Sequence, residues 1–351
     1  MEQNISKPVA LLLTCTFLVV LSGVFLNDLV GGTYSKLLNE NPPEAASLLD
    51  GSFARSTDEF LETRSTTMRS TRGAWNGFML DWFSESPSEV CVGKDDFLFL
   101  RTSLQPVVEP TATRSWNDIL KMLSTVSDAT RAAGGKFRVL IMPAKWRIFE
   151  DKMRGRGPGP RRRALYSKAI QELHARGIDA PDLLAPLLAF QQSHQKELLY
   201  PPTDSHLSRL GFAHVTTHFV ADLASVSLVE AQARLQRLPQ SRSTYSGDLI
   251  RIMNIREDSD AGERFAFEER VHEAPACFDQ QEAEILVLGD SFFRTYDGLF
   301  QRLIQVATQR TVDARFAGWG GLNIRQLAAD YAQKPAPIVL IAITERLFAT
   351  F

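Results

Sequence analysis

The stretch Glu284-Ile285-Leu286-Val287-Leu288, followed by Gly289-Asp290-Ser291-Phe292, constrains this chain more than any other. A short aliphatic run closed by Gly-Asp-Ser predicts a buried strand that turns sharply into a helix. Such a turn lifts a serine hydroxyl out of the carboxyl end of a sheet, where α/β folds place their chemistry. It also brings the hydroxyl near the first N–H groups of a helix, which lack partners within the helix and can stabilise an oxyanion. Alone, Gly-Asp-Ser is a three-residue signal that often marks nothing more than a helix cap. A second cluster gives it weight: Thr203-Asp204-Ser205-His206 supplies an acid and a base. Together they offer Ser291 as nucleophile, His206 as general base and Asp204 as the group that holds the imidazole tautomer. The competing reading is a surface Asp-x-His whose Asp204 or Ser205 starts a helix.

The elements around Ser291 alternate. Residues 284–288, 311–317 and 338–343 predict strands, and 291–305 and 323–332 predict helices. Upstream, 137–143 reads as a buried strand ending at a proline, and 116–134 and 166–176 have helical spacing closed by glycines. Ser208 is placed to cap a helix running to about 225. The sequence from Cys91 to Leu100 predicts a hairpin with its turn at 93–96. This alternation gives an α/β fold with a mainly parallel central sheet and helices on both faces. Residues 226–280 are polar, with short strands expected at 248–254 and 264–268, and read as an insertion or cover near the site.

With 44% apolar and 23% charged residues, the 351-residue chain has the composition of a globular protein. Its net charge of −2 gives nucleic-acid binding no global electrostatic support. Residues 8–26 (PVALLLTCTFLVVLSGVFL) carry no charge. As a helix they would cover about 28 Å, close to the hydrocarbon thickness of a bilayer. No small-x-small cleavage pattern follows, so residues 1–30 read as an uncleaved signal anchor, with a cleaved signal peptide as the alternative. Either places the remainder outside the cytoplasm. Residues 31–85 are polar, contain Asn41-Pro42-Pro43, and read as a juxtamembrane stalk with a helix near 56–64. The folded domain then occupies 86–351. Cys91 and Cys277, the two cysteines outside the apolar run, form one bridge in an oxidising compartment or remain two buried thiols.

Other candidates follow. The loop Ala317-Gly318-Trp319-Gly320-Gly321 has glycines (Gly318, Gly320, Gly321) that let backbone N–H groups approach an oxyanion, or it is an ordinary glycine-rich turn. Arg294 and Lys145 are further oxyanion or substrate candidates. Residues 152–163 carry Arg154, Arg156, Arg161, Arg162 and Arg163, which suit an anionic polymer or a solvated loop. His214 and His218 sit at i, i+4, but no carboxylate or cysteine accompanies them, so no metal and no cofactor is expected.

These residues together resemble the SGNH-like acetyltransferases of bacterial exopolysaccharide modification, the family of the alginate O-acetylation proteins AlgJ and AlgX. Val92-Gly93-Lys94-Asp95-Asp96-Phe97-Leu98-Phe99 is similar to the family's opening hairpin, and Met142-Pro143-Ala144-Lys145 to a strand end that reads Pro-Pro-Lys. Thr203-Asp204-Ser205-His206 is similar to the Asp-Thr-His-Trp motif, and Gly289-Asp290-Ser291-Phe292 to the nucleophile motif. Ile343-Thr344-Glu345-Arg346 resembles a fifth, weaker signature. The single anchor and the lack of an added carbohydrate-binding domain look more like the J type. The resemblance implies an SGNH-hydrolase-like three-layer sandwich with permuted motif order and the triad Ser291, His206 and Asp204. Leu207 stands where tryptophan is usual, and Thr344-Glu345 where SGNH enzymes carry asparagine. Glu345 and Arg346 read as a structural ion pair.

The resemblance further implies a periplasmic O-acetyltransferase, held by a single pass in the inner membrane, that acetylates hydroxyls of an exported polysaccharide. The acetyl donor would be a membrane-bound O-acyltransferase partner. Its rivals are an acetylesterase of the same fold and a non-catalytic polysaccharide-binding subunit.

Overall fold

The computed structural model describes residues 65–348 except 88, 108, 156, 258, 277–282 and 317–335, with a few isolated positions before 65. The expected membrane span at 8–26 lies almost wholly outside the described residues. Among those described, no helix is long and apolar enough to cross a membrane. The chain divides into two units, Met1–Ser84 with Asn254–Arg256, and Glu85–Met253 with Glu257–Phe351.

In the first unit, helix α1 (Thr66–Phe83) occupies part of the predicted polar stalk, further along the chain than the helix expected near 56–64. Trp75, Phe78 and Trp82 recur at helical spacing, and their exposed rings touch along one face.

The second unit begins with a hairpin, β1 (Val90–Val92) and β2 (Leu98–Leu100), paired antiparallel. Asp95 and Asp96 take left-handed φ values of 52° and 60° in its turn. Helix α2 (Glu109–Ala132) leads to β3 (Lys136–Met142), followed by the short α3 (Lys145–Ile148), α4 (Pro160–Ala175) and α5 (Leu184–Ser193). Helix α6 (Arg209–Phe219) starts at the predicted cap, where Ser208 Oγ accepts from Gly211 N at 3.0 Å. It ends before 225 because the chain breaks into turns after Phe219. Helix α7 (Leu228–Gln236) precedes β4 (Gln240–Ser246), the five-residue helices α8 (Asp248–Ile252) and α9 (Asp260–Arg264), and β5 (Ala266–His272). The expected strand at 248–254 is therefore helical at its start. Its neighbour at 264–268 forms further along, as the β5 partner of β4.

Then come β6 (Ile285–Gly289), α10 (Thr295–Thr308), β7 (Val312–Phe316) and β8 (Ile338–Thr344). Strands β3, β8, β6 and β7 form one parallel sheet in that order. Its apolar runs are continuous because both faces are covered. Leu140, Ile285, Val287 and Leu340 face one core with Phe212 of α6 and Phe300 and Leu303 of α10. Val139, Ile141, Leu286 and Ile341 face the other with Leu123 of α2 and Leu173 of α4. The two-residue period of the strands thus feeds two cores, and the unit has helix, sheet and helix layers.

At the carboxyl end of the sheet a buried ion pair joins two elements. Arg147 Nε on α3 donates to Glu345 Oε2 at 2.6 Å, just beyond β8, with side-chain exposures of 8% and 2%. Arg147 also donates to the carbonyls of Arg162 and Arg163. The buried partner of Glu345 is therefore Arg147, a residue 198 positions away that the sequence reading did not pair with it. Removing one member strands the other charge in the interior, so Glu345→Ala should cost about 3–5 kcal/mol in a urea unfolding experiment. The double replacement Arg147→Met with Glu345→Leu should recover most of that loss.

Candidate active site

Strand β6 delivers Ser291 to the carboxyl edge of the sheet. Gly289 ends the strand where a Cβ would come within 3.0 Å of Ala342 O on β8, so only glycine fits without a shift. Asp290 then fixes the turn. Its Oδ1 accepts from Phe292 N at 3.1 Å, and its Oδ2 accepts from Thr344 N and Oγ1 at 2.8 and 2.7 Å. Thr344, standing where the resemblance leads one to expect asparagine, thereby ties the end of β8 to the serine turn. Ser291 opens a four-residue 3-10 turn, Ser291–Arg294, and is half-buried. Two N–H groups at this turn are already engaged: Phe292 N by the Asp290 carboxylate and Phe293 N by the Asp290 carbonyl.

The second cluster sits on the segment between α5 and α6. Lys145 underlies it. Its Nζ donates to the carbonyls of Pro201, Pro202 and Asp204 at 2.6, 2.6 and 2.9 Å, and to Leu98 O at 2.9 Å. The rings of Phe97 and Phe99 lie 5.2 and 5.5 Å from the ammonium. Lys145 is thus a buried staple whose N–H groups are taken up by backbone carbonyls, and its side chain also lines the cleft beside Phe292. Burial pushes its pKa down to about 7, with the Asp204 and Asp248 charges pulling the other way.

Asp204 is buried, and its Oδ1 lies 2.8 Å from both His206 N and His206 Nδ1. That bond leaves Nε2 free of any hydrogen bond to a described residue and fixes it as the basic nitrogen. A third group, absent from the sequence expectations, completes the set. Asp248 Oδ1 accepts from Ser205 N and Oδ2 from Ser205 Oγ, both at 2.6 Å; Oδ2 lies 3.5 Å from His206 Nδ1. Asp248 N in turn donates to Asp204 Oδ2 at 3.3 Å. Asp204, His206 and Asp248 offer three donor atoms within 4.8 Å of one another, spacing that would admit a cation. Each of those groups is already committed to hydrogen bonds within the cluster, so the arrangement reads as an acid–base set.

The charges diverge. Burial alone would raise the Asp204 carboxyl, but the His206 hydrogen bond and charge pull it down to about 2. Burial and the adjacent Asp204 charge push Asp248 up to about 6. Burial disfavours the His206 imidazolium, yet the Asp204 hydrogen bond and the charges of Asp248 and Asp204 outweigh it and raise its pKa.

The two clusters share one corner. The His206 ring lies 5.1 Å from the ring of Phe292, the residue after Ser291. A narrow cleft opens there, lined by Tyr200, Ser205, Phe292, Thr344 and Arg346 among others. No hydrogen bond joins Ser291 Oγ to the imidazole. Catalytic hydrogen bonds are often long before substrate binds.

Arg294 is exposed at the end of the serine turn. Gly318, Gly320 and Gly321 lie outside the described residues, as does Cys277; Cys91 is a free, half-buried thiol. His214 and His218 pack with ring centres 3.9 Å apart and planes tilted by 30°, in the predicted packing role. In the basic segment, Arg162 is buried against the Ser103 carbonyl and Arg163 pairs with Glu150, so part of its charge is structural.

Residues 90–336 match the family described as "SGNH hydrolase-like domain, acetyltransferase AlgX". The chain is 25% identical over 257 residues to the "Probable alginate O-acetylase AlgJ" of Pseudomonas aeruginosa, covering 73% of this chain and 63% of that protein. It is 26% identical over 210 residues to the protein of the same name from Pseudomonas syringae pv. tomato, covering 59% and 52%. The chain thus spans less than two thirds of the length of these curated relatives. The solved O-acetyltransferase domain of Pseudomonas putida AlgJ superimposes with a TM-score of 0.55 at 21% identity, covering 75% of this chain and 92% of that one, a likeness of fold.

Gly247 tests how tightly the acid–base segment is held. A Cβ there would stand 2.1 Å from Thr203 O and 2.5 Å from Asp204 N, both backbone atoms. Gly247→Ala should destabilise the protein by about 1–3 kcal/mol and shift the imidazole resonances of His206, measured by thermal unfolding and NMR.

Proposed function

Because the chain belongs to the SGNH hydrolase-like family of AlgX-type acetyltransferase domains, we propose that it is a polysaccharide O-acetyltransferase working through Ser291, His206 and Asp204. The observation that supports this most is the Asp204–His206 hydrogen bond, made beside the residue that follows Ser291. In the first half-reaction, Ser291 Oγ attacks the acetyl carbonyl of a donor while His206 Nε2 takes its proton. The tetrahedral intermediate expels the donor's leaving group, which receives that proton, and acetyl-Ser291 remains. In the second, His206 removes the proton of a sugar hydroxyl as its oxygen attacks the ester. Ser291 Oγ departs and recovers the proton. Asp204 stabilises the imidazolium in both steps.

The alginate O-acetylase names of the relatives make an exported polysaccharide the acceptor we favour. The uncharged run at 8–26 supports anchoring in the inner membrane with the catalytic unit in the periplasm, and the family resemblance supports a membrane-bound O-acyltransferase as acetyl donor.

Purified protein given an acetyl ester should gain one acetyl group on Ser291 by mass spectrometry and pass it to a glycan. Ser291→Ala should lose both signals; acetylation that persists in this variant would overturn the assignment. Release of acetate at the same rate with and without glycan would indicate an esterase instead.

The reactive imidazole is the neutral one, and its pKa is raised. Activity should therefore fall as pH drops, with a midpoint above the ordinary histidine value of about 6.5. A kcat/KM profile flat from pH 5.5 to 8 would remove His206 from the base role.

A further inference from the structure

Ser205 lies between the proposed orienting acid and the proposed base, and both of its polar donors go to one distant carboxylate. We infer that Asp248 is a positioning residue of the proposed acyl transfer: it locks the Asp204-Ser205-His206 turn through Ser205 and sets a second carboxylate beside imidazole Nδ1. This rests on the assignment of His206 as general base.

Three features of the geometry carry it. The Ser205 N–H and Oγ–H bonds at 2.6 Å hold the middle residue of the turn from outside, 43 positions along the chain. The Asp248 N–H donates to Asp204 Oδ2, so the start of α8 orients the orienting acid as well. Asp248 Oδ2 stands 3.5 Å from His206 Nδ1, within the range where an opposite charge strengthens a base. Gly247 makes this possible, since any side chain there would push α8 away from Thr203 and Asp204.

The groups facing Asp248 come from several elements. Asp204 repels it and His206 attracts it. Lys145 on α3 feels both carboxylates, and Arg346 beyond β8 opposes the imidazolium charge. Asp204 and Asp248 have unlike proton affinities, the pattern by which neighbouring carboxylates divide roles. Asp204 keeps its charge and its bond to the imidazole, and Asp248 adds a second charge once it ionises. With both ionised, Nε2 is a stronger base.

The test uses the full chain and two readouts. Histidine NMR gives the His206 pKa, which requires no turnover, and mass spectrometry follows acetylation of Ser291 by an acetyl ester across pH. Asp248→Asn should lower the His206 pKa by about one unit. The acid limb of the rate profile should move down by the same amount. The plateau rate should fall about three- to tenfold because the base is weaker, with KM for the ester changed less than about twofold. Ser205→Ala removes a hydrogen bond and no charge, so it should leave the imidazole pKa in place. Asp248→Glu should restore most of the shift, and it keeps the test open if the asparagine variant folds poorly. An unshifted His206 pKa in Asp248→Asn, or an equal shift in Ser205→Ala, would overturn the inference. Ser291→Ala provides the separation: if that variant still acetylates, the transferase assignment fails while the pKa comparison stands.

Discussion

A single ammonium group organises the catalytic corner. Lys145 Nζ binds carbonyls from the hairpin, at Leu98, and from the segment at Pro201, Pro202 and Asp204. These come from parts of the chain that share no strand pairing. An apolar side chain of the same size would leave these carbonyls crowded together without the cation that draws them in, although Pro201 O and Pro202 O would keep the backbone N–H groups of Asp204 and Leu98. Asp204 and His206 inherit their placement from this knot. Tyr200, which donates to Pro143 O at 2.7 Å, fastens the same segment to the end of β3 from a second side.

Charge at this end of the sheet is balanced group by group. Glu345 meets Arg147, Asp290 is satisfied by Thr344 and the serine turn, and Asp204 and Asp248 share His206 and Ser205. The apolar sheet behind them lowers the local dielectric, which strengthens each of these bonds and makes each unpaired group costly. The parallel topology matters here. Because β3, β8 and β6 all run the same way, their last residues, Met142, Thr344 and Gly289, emerge together. The polar turns that follow them meet without any strand reversing direction.

Much of this was legible in the sequence. The aliphatic runs of β3, β6, β7 and β8 marked the sheet because both faces are buried, and Ser208 announced the start of α6. The Asp204, His206 and Ser291 positions stood out through their motifs. Asp248 did not. Its partners are 43 residues away, and it lies in a polar stretch whose hairpin, β4 with β5, is largely exposed along β4 and so lacks the alternation that reveals strands. Lys145 was noticed as a cation near a strand end, yet nothing local shows that its charge points inward. Whether a lysine faces solvent or backbone carbonyls depends on loops brought together only by folding. The 3-10 turn at Ser291 was also hidden, since the aromatic and apolar residues that follow it suit one continuous helix.

What interrupts that helix is a short reversal of handedness. Tyr296, Asp297 and Gly298 all take left-handed backbone angles inside Thr295–Thr308, which for the two residues with side chains costs about 1–2 kcal/mol each. The peptide dipoles of the right-handed stretch beyond Gly298 therefore do not stack in line behind Ser291. Its macrodipole, the usual source of positive potential at a nucleophile elbow, is uncoupled from the serine. Any stabilisation of negative charge at Ser291 must then come from individually placed donors, whose loss one at a time would register as discrete steps in rate.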